Sequence, residues 1–206
     1  MNRVIHTEDE FISAIAKMGD DKIILTDLNF HQYGQVEITI GVNEHPEIMS
    51  TSGGGVFDTL VLQGESLGGQ MSFMRLTGVC ADKVVVGSNV SCSVIDCQIG
   101  TLHVLGRVVV KKSRLEILRA RYSSSSSVSD SSITSYECDA SAVVSVYNSH
   151  VMAQSLCASG RILLKECVID GRRKGFARVS QLFGYNHQVV PSSVRIINCT
   201  ALKCRR

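Results

Sequence analysis

The chain has 206 residues, 44% of them hydrophobic but only 5% aromatic, with no Trp, two Pro and eight Cys; this suffices for one domain with a core and excludes a disordered chain. No apolar run approaches the roughly 20 residues needed to span a bilayer, and no apolar signal-peptide stretch follows Met1–His6, so an intracellular, cytoplasmic protein is expected. The net charge of +2 hides an asymmetry: residues 1–66 hold 3 Lys/Arg against 11 Asp/Glu, and residues 67–206 hold 18 against 8, which speaks about partners rather than fold.

Thr7 followed by Glu10 is a capping box, and Phe11, Ile12, Ile15 and Met18 make one apolar stripe. A helix is therefore expected over Thr7–Met18, with Gly19 as its stop. Asp20-Asp21 leads into a strand at Lys22–Leu25. The stretch from Thr7 to Ala16, followed by Gly19-Asp20-Asp21-Lys22-Ile23-Ile24-Leu25, resembles the opening segment of the pectate-lyase-like right-handed parallel β-helices. In that superfamily a short helix caps the open end of the coil and a Gly-Asp turn starts the first strand. The resemblance implies a fold and carries no catalytic residue. A cap is physically sensible, because the first coil would otherwise expose its core and an unpaired edge.

Val36, Ile38 and Ile40 alternate with Glu37 and Thr39 as a half-buried strand. Gly41–Gly55, with Pro46 and three consecutive glycines, reads as a loop; it lacks the Gly-Lys-Ser/Thr ending of a phosphate loop. Leu60–Leu62, Met71–Leu76 and Val84–Val86 supply early strands, and Met74 with Thr77 and Val79 is a degenerate early copy of the phrase that dominates the rest.

That phrase is an apolar residue, two turn residues, a Ser or Cys, a variable residue and an apolar residue. Its copies are Val94–Ile99, Val110–Leu115, Val128–Ile133, Val146–Val151, Leu164–Ile169 and Ile196–Ala201. The small anchor falls at Cys97, Ser113, Ser131, Ser149, Cys167 and Cys199, with spacings of 16, 18, 18, 18 and 32. A fixed period of this kind marks a solenoid. Apolar residues alternate on either side of the turn, so the repeat is made of strands. Asp96, Asp130, Asn148 and Asn198 in the turns satisfy a turn with their own side chains. The predicted fold is all-β: a single-domain parallel β-helix of about 18 residues per coil, its strands about 4.8 Å apart, with an N-terminal capping helix. An antiparallel sandwich has no reason to repeat one residue type at one interval. Val86-Gly87, Ile99-Gly100 and Leu105-Gly106 resemble hexapeptide left-handed coils, but the pattern stops there and the helical cap favours the right-handed form. The serines at 123–127 keep register with the copies on both sides and are expected to line a coil.

The final interval carries surplus residues between 171 and 188, expected to leave the coil as an excursion, the kind of segment where binding residues concentrate. Cysteines at the anchor are expected to be buried small residues. No Cys-x-x-Cys pair or zinc spacing occurs, so neither metal nor cofactor is expected, and free thiols suit a reducing compartment.

Three functional readings remain. The leading one is a non-enzymatic scaffold, a viral or accessory protein that blocks or assembles a macromolecular partner, contacting it through a basic face. That face is drawn from the run His103–Arg121, which holds Arg107, Lys111, Lys112, Arg114, Arg119 and Arg121 against Glu116 alone, with His150 two coils beyond Arg114, and from Arg172, Arg173, Lys174, Phe176, Arg178 and Tyr185 of the excursion. A protein partner is favoured because the basic residues are mixed with neutral ones. The second reading is a nucleic-acid binder, using cations interleaved with aromatics. The third is a polysaccharide lyase or hydrolase, the activity common in the resembled superfamily. Asp96 and Asp130 occupy one turn position two coils apart, roughly 9–10 Å, but Lys112 lies between them and no catalytic motif is matched. His6, His31, His45 and His103 lack partners at useful spacing. The stacking ends offer a surface for self-association, which Lys203-Cys204-Arg205-Arg206 opposes by charge.

Overall fold

The computed structural model describes residues 1–65, 69–139, 141–152, 156–158, 160–170 and 194–202. Among them nineteen strands form a parallel solenoid, with one short α-helix between the first strand and the second. The first coils hold β1 (Asn2–Ile5), α1 (Glu8–Ile15), β2 (Lys22–Asn29), β3 (Gln35–Ile40), β4 (Glu47–Gly64), β5 (Ser72–Thr77) and β6 (Cys80–Val86). The middle coils hold β7 (Val90–Ile95), β8 (Gln98–Val104), β9 (Arg107–Lys111), β10 (Arg114–Ala120), β11 (Ser125–Ser129) and β12 (Ser132–Cys138). The last hold β13 (Val143–Tyr147), β14 (His150–Val151), β15 (Leu156–Ala158), β16 (Arg161–Lys165), β17 (Val168–Asp170), β18 (Val194–Ile197) and β19 (Thr200–Leu202).

Each strand pairs in parallel with its equivalent one coil away. Thus Arg114 lies between Gln98 and Ser132, and Ser132 between Arg114 and His150. The first face of the coil begins with β1, β2 and the start of β4 and continues through β5, β7, β9, β11, β13, β16 and β18. A corner then leads to a short second face, and a bend in β8 and β10 to a third. The inward columns are apolar: Val94, Val110, Val128, Val146 and Leu164 are fully buried in one, Leu115, Ile133 and Val151 in another.

The repeated phrase is the corner between the first and second faces. Read from Val110, the side chains run in, out, corner, in, out, in. The corner residue adopts a left-handed backbone in every copy: Asp96, Lys112, Asp130, Asn148, Glu166 and Asn198 have φ between 43° and 58°. Asp and Asn tolerate this region best. The early copy at Val79 has Gly78 at the corner, with φ 68°, where an added Cβ would stand 2.5 Å from the Ser50 carbonyl oxygen. A copy the sequence pattern passed over lies at Leu25–Phe30, with Asp27 at φ 50° and Leu28 in place of the small anchor.

The anchors stack, and a backbone accounting explains their chemistry. Around the corner, the left-handed residue donates its N–H to the next coil, as from Lys112 to the Ser129 carbonyl. The anchor carbonyl accepts from the residue after the next anchor, as Ser113 does from Ser132. The anchor's own N–H has no backbone acceptor, and a buried N–H must find one. The next anchor supplies it. Cys97 N–H donates to Ser113 Oγ at 3.1 Å, Ser113 N–H to Ser131 Oγ at 3.0 Å and Ser131 N–H to Ser149 Oγ at 3.2 Å. Cys167 N–H donates to Cys199 Sγ at 3.4 Å. The three hydroxyls in turn donate to the carbonyls of Lys111, Ser129 and Tyr147 at 2.6–2.8 Å.

The cap departs from expectation in its length. The helix spans Glu8–Ile15 rather than Thr7–Met18, because Lys17 N–H already closes a tighter turn on Ala14 and Met18 packs inward from beyond the helix. Thr7 accepts from Glu10 N–H, while the Glu10 carboxylate reaches back to His6 N–H, one residue before the usual partner. Phe11 is fully buried and plugs the end of the coil against Phe30 and Phe57, whose rings stack 4.5 Å apart. Met1–His6 holds the strand β1, paired with β2. Gly41–Gly55 is a loop only as far as Pro46; from Glu47 it is strand, paired with β2 and bent near the glycines to serve two faces. The serines at 123–127 line the coil as expected, with Ser124 and Ser126 buried. The excursion of 171–188 lies outside the described residues.

Two serine substitutions should behave oppositely. Ser131→Ala strands the buried Ser113 N–H and should cost about 1–3 kcal/mol. Ser126 sits between Val108 and Val144 with a buried hydroxyl that has no hydrogen-bond partner, so Ser126→Val should be neutral or stabilising by up to about 1 kcal/mol. Urea denaturation of both variants checks the pair; equal losses would contradict the accounting.

Candidate functional site

One coil circles the whole solenoid, so consecutive basic residues cannot share a face. The structure accordingly distributes the predicted set. Lys111 is outward on the first face. Lys112 is the left-handed corner residue. Arg114 and His150 lie in one outward column on the second face, two coils apart as expected, with Ser132 between them. His150 Nε2 faces the buried Asp170 carboxylate at 3.8 Å. Arg119 and Arg121 lie on and beside the third face. Arg172, Arg173, Lys174, Phe176, Arg178 and Tyr185 lie outside the described residues.

The third-face arginines are occupied. Arg121 holds Glu137 at 3.0 Å and Asp139 at 2.7 Å, and Arg119 holds Glu137 at 3.2 Å. His103 stacks on Arg119 in the same column. Burial depresses its pKa first, and the cations Arg121, Lys83 and Arg119 add to this, with only Asp139 opposing.

The continuous basic surface is the first face. Its outward positions fall two, four and six residues before each anchor. From β5 to β18 they present Arg75, Arg107, Lys111, Arg161, Lys165 and Arg195, and among the described residues no carboxylate. Ser91, Ser93, Ser125, Ser127, Ser129 and Ser145 fill much of the rest, with Phe73, Val109 and Val143 exposed among them. Lys165 pairs with Glu166 at 3.5 Å, whereas Arg75, Arg107, Lys111, Arg161 and Arg195 have no ion-pair partner among the described residues. Of this set Arg107 and Lys111 fall in the basic run that the sequence marks. The others are legible at their offsets from the anchors, a signal that a count of consecutive charges does not use.

The carboxylates considered for catalysis are corner residues. Asp96 and Asp130 flank Lys112, and Asp130 accepts from Asn148 Nδ2 at 2.6 Å, so the column is a turn ladder. Among the described residues no three His, Cys, Asp or Glu side chains converge as a metal site would require. Two histidines do have partners that chain spacing concealed: His31 bonds Asp58, and the His45 ring stacks on Phe73.

The core thiols are unreactive by environment. Burial pushes Cys97 up to about 11 and Cys92 higher still. No described helix is long and apolar enough to cross a membrane. No protein-family model, no curated protein and no solved structure matches the chain.

His103 gives the third face a pH response. The unfolded imidazole takes up a proton near 6.5, the folded one at lower pH. Between those values the unfolded state binds more protons, so the contribution is intact above 6.5 and is lost as pH falls through the window. His103→Gln should therefore flatten the decline in Tm between pH 7 and about pH 5. An unchanged slope would show that the charge cluster does not disfavour the imidazolium.

Proposed function

We propose that the protein is a non-enzymatic binding scaffold that receives a macromolecular partner on its first face. The observation that carries this is the outward column set from β5 to β18: cations and serines without a carboxylate among the described residues. A face of one sign on a rigid scaffold raises the local concentration of an oppositely charged partner and steers its approach. The basic surface is thus relocated from the run 103–121 to columns across coils. Residues 171–188, which fall between β17 and β18 in sequence and lie outside the described residues, are kept as a second contact.

The architecture is assigned to the pectate-lyase-like right-handed superfamily on the plugged helical cap before β2. Buried free thiols at Cys92 and Cys97 suit a reducing, intracellular setting. The enzymatic reading has less support, since Asp96 and Asp130 are corner residues with Lys112 between them and Asp130 already accepts from Asn148.

The test is a quantitative cross-linking capture from the native host. The triple variant Arg107→Glu, Arg161→Glu, Arg195→Glu is compared with a control pair on other faces, Lys83→Glu with Arg114→Glu. Partner recovery should fall at least tenfold for the triple variant and stay unchanged for the control. Equal recovery from both would overturn the assignment of the face. Loss of capture on nuclease treatment would make nucleic acid the partner instead.

A further inference from the structure

On the first face, β4, β5, β7 and β9 leave a half-open groove of about 540 Å³. One wall is the side chain of Phe73, 44% exposed, with the His45 ring stacked on it at 5.1 Å and 9°. Its apolar floor includes Ile95 and Val109, the latter 41% exposed. Arg75 and Lys111 supply the positive charge, and neither has an ion-pair partner among the described residues. The one carboxylate at the rim, Glu47, is engaged by Lys22 at 3.4 Å and by the Thr77 hydroxyl at 3.2 Å.

We infer that this groove binds an acidic peptide segment of the partner, one that places an apolar or aromatic side chain beside its carboxylates. The inference rests on the first face being the interaction surface and specifies what it grips. The volume lies in the range that holds a few side chains. Exposed aliphatic groups between two free cations match a polypeptide, which offers apolar side chains and carboxylates together. They match nucleic acid poorly: its one aliphatic group on a base, the thymine methyl, covers little of Ile95 and Val109, and one side of the Phe73 ring is already occupied by His45. Arg75 and Lys111 come from strands two coils apart, so the rigid coil fixes the distance between them. A ligand gains both charges without ordering the protein first, which lowers the entropic cost of binding.

The probe is a fluorescein-labelled peptide alternating glutamate and leucine around a central phenylalanine, followed by fluorescence anisotropy. Saturable binding with half-saturation below about 1 mM is expected. Replacing glutamate by glutamine, or leucine and phenylalanine by glycine, should each weaken it at least tenfold. Phe73→Ser and Arg75→Ser should each weaken it at least fivefold, with Lys83→Ser unchanged. Both positions are outward-facing, and unaltered circular dichroism and melting verify that the variants fold. Absent binding, binding unaffected by Phe73→Ser and Arg75→Ser, or tighter binding of an oligothymidylate would each overturn the inference. The two levels separate cleanly: if the Arg107/Arg161/Arg195 variant loses the host partner while the groove variants keep it, the face stands and the groove falls.

Discussion

The structure depends on one unmet donor. At the corner between the first and second faces, a left-handed residue swings the chain around and leaves the next N–H without a backbone acceptor. In the buried interior that N–H must be satisfied, and nothing in the same coil can do it. The hydroxyl or thiol one coil further on does. Each coil therefore completes the one before it, and the column of Cys97, Ser113, Ser131 and Ser149 is both a core and a hydrogen-bond ladder. An alanine there would fill space but strand a donor. A larger side chain would accept nothing and crowd the stack. Ser and Cys are small enough to turn inward and polar enough to accept, which is why these types and no others recur.

This constraint fixes the grammar of the surface. Since each anchor lies over the last, every outward position also lies in a column, and functional groups add up along the axis rather than along the chain. From β5 to β18, six cations on the first face come from four separate coils. The third face shows the opposite use of the same geometry. There Arg119 lies directly beside Glu137 one coil away, so the charges cancel within the column and rigidify the wall. Over the same strands the first face carries four arginines and the third two, and their effect differs with the neighbouring coil: Glu137 lies beside Arg119, whereas Arg107 has Ser91 and Ser125 on either side and Arg161 has Val143.

Much of the fold was readable from the sequence because the ladder repeats a residue type at an interval. The anchors, the corner residues Asp96, Asp130, Asn148 and Asn198, and the in-register serines at 123–127 follow from that pattern alone. The readings that failed lie where another force replaces it. At Leu28 the anchor is large because the end of the coil is wide and filled by Phe11, Phe30 and Phe57, so the copy at Leu25–Phe30 goes unnoticed. Glu47–Gly55, the first half of β4, reads as loop because its glycines, where one strand passes from face to face, resemble those of a flexible segment. The candidate site was legible only in part: Arg107 and Lys111 lie in one basic run, but Arg161, which shares a column with Arg107, sits 54 residues further along the chain.

The ladder also grades the rigidity of that face. In its middle, oxygen acceptors lie 3.0–3.2 Å from their donors, while at the C-terminal end sulfur, a weaker acceptor, takes over at 3.4 Å. Burial declines in parallel. Val110, Val128, Val146 and Leu164 are fully covered by coils on both sides, whereas Ile196, the next residue in that column, is 41% exposed. In a repeat protein whose units are held by nearest neighbours, a less covered coil opens more readily. Arg195 therefore belongs to a less covered coil of the face than Phe73, Arg75 and Lys111 do. Preorganised recognition needs the better covered environment: a groove spanning β5, β7 and β9 keeps its charges at a fixed separation because each of its strands is completed by another ladder step beyond it.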